Sequence, residues 1–345
     1  DDLRVMSPTS YQLLHPALLT ISTSLFALAV CFNWTAKIYF VSLQSKYFLK
    51  KVSMPHKAGF VSLIGKPNVG KSTLMNALVG EKMSIVTPKA QTTRHRILGI
   101  VNEEDYQIVF SDTPGVIQPK YGLQESMMGF VKESLVDADV ILFVTDINEK
   151  YDEQDVVTRL KNSTSPIAVI INKIDKSSEE KVKEKIAFWE STLNTSAIFA
   201  VSALHDHNVA AVMQFILDQL PEHPPYYEKD ALTDKNERFF VSEMIREKIF
   251  KLYEKEIPYS TEVVITSFKE EPSITRISAE IIVERDSQKN ILIGKGGEMI
   301  KKVGTYARKD IEEFLQKKVF LELFVKVLSD WRNRKNYLKR FGYED

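Results

Sequence analysis

The sequence predicts an α/β fold on a mixed, mostly parallel sheet, followed by a smaller α+β domain. Three observations carry this. Apolar β-type runs at 59–64 (GFVSLI), 107–111 (QIVFS) and 167–171 (IAVII) each end at a polar or glycine-rich turn. The first of those turns leads straight into a helical stretch at 73–79 (TLMNALV). After a proline-rich break at 220–227 the pattern changes to helix, strand, strand, helix, turn, helix, strand. Strand-turn-helix units of the first kind build parallel sheets, and the second pattern builds a separate small domain.

The turn after the first strand is Gly65-Lys66-Pro67-Asn68-Val69-Gly70-Lys71-Ser72, followed by Thr73. It matches G-x-x-x-x-G-K-[ST] with a strand before it and a helix after it. Glycines let backbone N–H groups turn inward around phosphate oxygens, and the helix N-terminus points its partial positive charge at the same anion. Lys71 is expected at the β- and γ-phosphates and the Ser72 hydroxyl on Mg²⁺. The strand at 107–111 feeds Asp112-Thr113-Pro114-Gly115. An Asp at that strand end can hold Mg²⁺ through water, and the Gly115 N–H can sense a γ-phosphate. The strand at 167–171 feeds Asn172-Lys173-Ile174-Asp175. The Asp175 carboxylate can accept from the N1–H and N2 amine of guanine, which adenine cannot offer, so the site discriminates strongly. A strand at 198–201 then leads to Ser202-Ala203-Leu204, placed to present backbone N–H to the guanine O6. In this order the pieces predict a GTP site on a Ras-like P-loop NTPase domain, a G domain.

Residues 84–96 (SIVTPKAQTTRHR) are polar and lack periodicity. They read as a switch loop in which Thr93, or Thr92, becomes a further metal ligand. A strand follows at 97–101. Val116 stands after Gly115, where many GTPases carry a glutamine that orients the attacking water. Valine cannot do so, and water positioning must come from elsewhere, with a monovalent cation beside the phosphates as one source of charge.

A helix at 209–220 ends the first domain, the break at 220–227 opens a linker, and from 237 the second domain begins. Its helix at 240–253 and strands at 261–268, 274–284 and 319–328 surround Gly294-Lys295-Gly296-Gly297, a G-x-x-G run between two helices. Such a loop clamps about four nucleotides in KH domains. Side chains there would block the strand, so glycine is needed. Lys301, Lys302, Arg308 and Lys309 follow on the next helix. From Arg285 onward there are 15 Lys+Arg against 9 Asp+Glu, and 331–335 (WRNRK) adds an aromatic among cations. The stripe Ile311, Phe314, Leu315 reads as core, Tyr306 is open between core and surface, and His205 and His207 have no metal-ligand spacing.

Across 345 residues, 46 Lys+Arg balance 46 Asp+Glu, with 44% hydrophobic and 27% charged residues. That composition excludes a disordered, collagenous or polytopic membrane chain. Zero net charge argues against a nucleic-acid partner, yet an average over two domains hides a basic end. The single cysteine, Cys31, excludes an intramolecular disulfide framework and a cysteine zinc site. Residues 1–53 read differently from the rest. The run at 13–32 approaches the length of a membrane span but is interrupted by His15, Pro16 and hydroxyl residues. Three readings stand: sequence upstream of a start at Met54, a targeting extension, or a membrane anchor. The expected division is therefore 1–53 extension, 54–223 G domain, 224–236 linker and 237–345 second domain.

The chain resembles the bacterial Era-like GTPases from about Met54 to Tyr343. The resemblance rests on GKPNVGKST at 65–73, QTTRHR at 91–96, DTPG at 112–115, NKID at 172–175, RFFVSEMIREKIF at 238–250 and DSQKNILIGKGGEMIKK at 286–302. It implies a type II KH domain that grips the 3′ end of 16S rRNA during maturation of the small (30S) ribosomal subunit. It further implies a cytoplasmic monomer cycling between GTP and GDP, with peripheral contact to the inner face of the cell membrane. A hydrophobic residue at Val116 is that family's own pattern. By resemblance, Lys71, Asn68, Thr93 and Gly115 take the catalytic roles, with Ser72, Thr93 and Asp112 on Mg²⁺ and Asn68 on K⁺. Gly294, Lys295, Gly296, Gly297, Lys301 and Lys302 would meet RNA. Two other functional readings remain: a GTP-gated RNA-binding scaffold with negligible turnover, and a membrane-tethered GTPase using 13–32.

Overall fold

A computed structural model describes residues 56–149, 154–193 and 195–344. The expectations for residues 1–53 and for the start at Met54 lie outside the described residues. The first sheet has six strands in the order β2-β3-β1-β4-β5-β6: β1 Lys57–Ile64, β2 Ile97–Asn102, β3 Tyr106–Asp112, β4 Val140–Asp146, β5 Ile167–Asn172 and β6 Ile198–Ala200. Only β2 runs antiparallel to its neighbour. Strands β1 to β5 are mostly buried, as expected where helices cover both faces, and β6 at the edge is half-buried. Those helices are α1 Lys71–Val79, α2 Gly122–Asp137, α3 Gln154–Lys161, α4 Glu179–Leu193 and α5 Val209–Gln219. Strand β4 (VILFVTD) was not foreseen: it carries no motif, and a short apolar run alone does not say strand or helix.

Register aligns the strand ends. Leu63 of β1 pairs with Asp112, and Asp146 of β4 pairs with Asn172. The loops that follow β1, β3, β4 and β5 therefore share one edge of the sheet. That edge, outside the carboxyl ends of parallel strands, is where open α/β sheets bind ligands.

The second sheet has the order β7-β8-β9, comprising β7 Glu262–Glu270, β8 Ile274–Val283 and β9 Lys318–Val327, with β7 antiparallel and β9 parallel to β8. Helices α6 Glu237–Leu252, α7 Asp286–Ile293 and α8 Glu298–Leu315 pack against it, and α9 Lys335–Arg340 closes the chain. On α8 the buried residues Val303, Ala307 and Ile311 recur every four positions, a single apolar stripe facing the sheet. The segment between α5 and α6 lies along the free edge of β2. Leu232 accepts from Ile100 N at 2.9 Å, Ala231 from Asn102 Nδ2 at 2.8 Å and the Asp234 carboxylate from Leu98 N at 3.2 Å. An edge strand is thereby covered rather than left to pair with another chain.

The 331–335 segment corrects the sequence reading. Trp331 is fully buried and donates from Nε1 to the Ser260 carbonyl at 3.1 Å, in a cluster with Leu123, Met127 and Leu338. Arg332 pairs with Glu284 and lies over the Tyr121 ring. The aromatic among cations is thus core and contact to α2, not an open stacking surface.

Candidate functional site: a nucleotide cleft and a glycine-loop groove

Glycine at position 70 is dictated by both backbone and space. Gly70 caps α1 at φ 101°, and a Cβ there would lie 2.2 Å from Asn172 Nδ2. The Asn172 carboxamide needs that room. Its Nδ2 donates to Val69 O at 2.9 Å, and its Oδ1 accepts from Ala203 N at 3.0 Å and Lys173 N at 2.8 Å. One side chain thus fastens the loops after β1, β5 and β6 together. Lys173 adds a second tie, with its ammonium 2.8 Å from Asp146 and donating to the Asn68 carbonyl.

The cleft between these loops and residues 84–96 encloses about 300 Å³. Pro67, Asn68, Gly70, Lys71, Ser72 and Thr73 line its phosphate end, together with Thr93, Thr113 and Gly115. Asn172, Lys173, Asp175 and Leu204 line the base end. Gly65, Lys66, Val69, Asp112, Pro114, Ser202 and Ala203 stand behind this lining. Lys66 reaches Glu149 at 3.6 Å, Thr113 Oγ1 donates to Leu63 O at 2.8 Å, and Val116 N donates to Gly65 O at 3.0 Å, drawing the Pro114–Gly115 turn onto the first loop. Lys71 Nζ donates to Gly65 O at 3.0 Å and Lys66 O at 2.8 Å, and burial lowers it to about 8 against the pull of Asp112 and Glu149.

Three oxygens converge where a metal is expected. Ser72 Oγ donates to Asp112 Oδ2 at 2.6 Å, and Thr93 Oγ1 lies 2.9 Å from Ser72 Oγ and 3.4 Å from Asp112 Oδ2. Asp112 is buried, burial raises it above the usual carboxylate range, and its Oδ1 has no partner. A buried carboxylate oxygen without a donor, beside two hydroxyls, fits a hard divalent cation such as Mg²⁺. Of the two threonines considered, it is Thr93 that sits here. Thr92 Oγ1 instead bonds Thr87 Oγ1 at 2.6 Å and donates to Lys89 O at 2.8 Å.

At the base end Ser202 plays a part that the sequence did not foresee. Its hydroxyl donates to Asp175 Oδ1 at 2.6 Å and holds that exposed carboxyl below its usual range. Lys176 also lines the cleft and was missed, its only signal being its place after Asp175.

The second site begins at Gly294-Lys295-Gly296-Gly297. Gly296 and Gly297 adopt φ 61° and 81°, while a Cβ at either would meet nothing within 4 Å. The backbone, not crowding by the protein, demands glycine there, and the space beside the loop is open. Past it, a groove of about 440 Å³ runs between α8 and β9, lined by Ile300, Lys301, Gly304 and Arg308 on one side and Phe320 and Leu323 on the other. Lys295 and Lys302 are exposed beside it. Phe320 was missed, since alternation alone does not tell which face of an edge strand a ligand would use. Of the apolar stripe, Ile311 is buried and Leu315 packs on the core, whereas Phe314 is 41% exposed against Phe240, and Tyr306 is exposed.

Comparisons with known proteins cover both sites. Residues 60–173 match a family model described as 50S ribosome-binding GTPase, and residues 256–332 match the KH domain. GTPase Era of Geotalea daltonii is 47% identical over 290 residues, spanning 83% of this chain and 98% of that protein. GTPase Era of Staphylococcus haemolyticus is 45% identical over 291 residues, spanning 84% and 97%. Among solved structures, Era in complex with MgGDPNP and nucleotides 1506–1542 of 16S ribosomal RNA superposes with a TM-score of 0.80 at 41% identity, covering 84% of this chain and 100% of that one. A variant of Aquifex aeolicus Era bound to GDP·AlF4⁻ gives the same TM-score and identity. With a G domain, a KH domain and near-complete coverage of these relatives, the chain belongs to the Era GTPase family.

Proposed function

We propose that this GTPase binds GTP with Mg²⁺, hydrolyses it to GDP and phosphate, and holds the 3′ end of 16S rRNA through its KH domain while the small ribosomal subunit matures. The observation that carries the enzymatic half is the meeting of Ser72, Thr93 and the unpartnered Asp112 oxygen at one end of a cleft whose other end carries Asp175. Ser72 and Thr93 would hold Mg²⁺ directly and Asp112 through water; the ion supplies positive charge to the transferring phosphoryl oxygens. Lys71 places its ammonium beside the β- and γ-phosphates, and the Gly115 N–H donates to a γ-phosphate oxygen. Asp175, aligned by Ser202, accepts from the guanine N1–H and N2 amine. The Val116 side chain packs against the buried cluster that includes Ile64, Ile141 and Phe143 and offers no hydrogen bond to water, so backbone groups around the phosphates orient the attacking water. Asn68 is the K⁺ ligand in this reading, contributing charge at the phosphates in place of an arginine.

For the RNA half, support comes from the αL glycines beside open space and from the adjoining groove with Lys301 and Arg308. Single-stranded RNA is read in this way by KH domains, through close backbone approach at a glycine loop. The protein is read as a cytoplasmic monomer with peripheral contact to the inner face of the membrane. Among the described residues no helix is long and apolar enough to cross a membrane. Flotation of the full chain with anionic vesicles tests the membrane contact, which is abandoned if the chain stays in the bottom fraction.

Competition binding tests the nucleotide assignment: GTP displaces a bound fluorescent guanine nucleotide in Mg²⁺ and ATP does not. Equal displacement by ATP would remove the guanine reading. A multiple-turnover assay then separates enzyme from scaffold, since a scaffold stops after about one GTP per chain.

A further inference from the structure

Thr93 reaches Ser72 and Asp112 from a loop, 84–96, that contains no helix or strand. Within the G domain Asn76 holds Ser84, and Tyr121 and Gln124 reach Gln91, whereas the grips on either side of Thr93 come from the KH domain. Just before Thr93, Arg246 of α6 donates from Nη2 to the Thr92 carbonyl at 2.5 Å, while its Nε and Nη2 fork onto the two oxygens of Glu243. Just after Thr93, Arg94 donates from Nη1 to Thr261 O at 2.7 Å and to Glu262 Oε2 at 3.2 Å, and from Nη2 to Pro258 O at 2.9 Å. Tyr343 donates to the same Glu262 oxygen at 2.6 Å.

The side chains of Arg94 and Arg246 are 1% exposed and those of Glu262 and Glu243 are 7% exposed. Two positive and two negative charges out of water balance one another, and removing one leaves an uncompensated buried charge. A static glue between domains could sit anywhere on their interface. Here the grips fall on the residues immediately before and after the expected metal ligand. With the Thr92 carbonyl fixed on one side and the Arg94 guanidinium on the other, the backbone of Thr93 has little freedom left.

We infer that Arg246 and Glu262 of the KH domain are positioning residues for GTP hydrolysis: they hold residues 92–94 so that Thr93 stays at the metal end of the cleft. The G domain's metal site is then completed only when the KH domain is docked as seen here. Linkage makes the effect reciprocal, so Mg²⁺·GTP favours that docked arrangement by the same factor. The inference rests on the reading of Thr93 as a ligand of nucleotide-bound Mg²⁺.

The test titrates binding of a non-hydrolysable GTP analogue against Mg²⁺, using the full chain and the variants Arg246→Lys, Glu262→Gln and Thr93→Ala, singly and with each positioning change combined with Thr93→Ala. Arg246→Lys and Glu262→Gln are each expected to raise the Mg²⁺ midpoint about 5- to 10-fold, the low end of typical coupling, with GDP binding in the absence of Mg²⁺ unchanged. Combined with Thr93→Ala, neither adds a further shift. If the shifts persist in full in the Thr93→Ala background, or are absent from the single variants, the two residues do not act through Thr93 and the inference falls. If Thr93→Ala alone leaves the midpoint unmoved, the metal-ligand reading itself fails. Glu262→Gln keeps the shape and one acceptor oxygen for Arg94 and Tyr343, and it carries the test should Arg246→Lys not fold.

Discussion

A single hydroxyl, that of Ser202, donates to Asp175 on the wall of the cleft, and in the proposed function that carboxylate reads the base. Asp175→Asn keeps the size but replaces one acceptor oxygen with an amide donor facing guanine N1–H and N2. We expect GTP affinity to fall by about 100-fold, from hydrogen bonds to a charged group worth about 1.5–3 kcal/mol each. Xanthosine triphosphate, which offers an oxygen at C2, should recover most of the loss. Calorimetric titration with both nucleotides checks this, and unchanged GTP affinity would remove the assignment. Asp175 could be found from sequence because it ends a motif whose spacing is fixed by the strand before it. The tasks of Ser202 and Asn172 could not. Each reaches across from one loop to another, Ser202 to Asp175 and Asn172 to Val69 and Ala203, and which loops meet depends on the order of strands in the sheet.

At the scale of elements, α6 differs most from what its sequence suggests. Its residues from Phe240 to Phe250 are buried nearly without a break, Glu243, Arg246, Glu247 and Lys248 among them. A helix enclosed all round lies between two bodies rather than on a surface. Its charged residues survive burial through pairs such as Arg246–Glu243 and Lys248–Glu247. From sequence these residues resemble an ordinary solvated face, because the groups that meet them across the fold are remote in the chain: Thr92 for Arg246, Lys82 for Glu247 and Asp310 for Lys248. The same holds for Trp331, which looked like part of a basic tail. Trp331→Ala should cost about 3–5 kcal/mol as a cavity in the cluster joining α2 to the C-terminal residues. Urea unfolding measures it, and a loss below about 1 kcal/mol would contradict that packing. The glycine loop gives a cleaner separation of functions. Replacing both Gly296 and Gly297 with Asp puts side chains into the open space beside the loop and negative charge where RNA phosphates would approach. RNA binding should be lost while GTP affinity stays within about twofold; RNA affinity that survives would remove the KH loop from the interface.

For the whole molecule, the balance of charge misleads when read as one number. A neutral chain carries a C-terminal region with 15 Lys+Arg against 9 Asp+Glu, and the groove beside the glycine loop presents Lys301 and Arg308. The two domains are not beads on a flexible linker. Residues between α5 and α6 run along β2, Lys82 pairs with Glu247 at 3.6 Å, and Lys89 donates to the carbonyls of Phe250 and Tyr253. The division into two domains could be read from motifs and the proline-rich break. Their docking could not, since it rests on buried pairs such as Arg94–Glu262 that no local pattern announces.

The proposed function makes hydrolysis and RNA grip one working unit. It is tested most directly by the GTP turnover rate of the full chain with and without an RNA carrying the 16S 3′ sequence, in potassium and in sodium. Multiple turnovers are expected in potassium, several-fold faster with that RNA and slower in sodium. No turnover above buffer in potassium with the RNA present would contradict it.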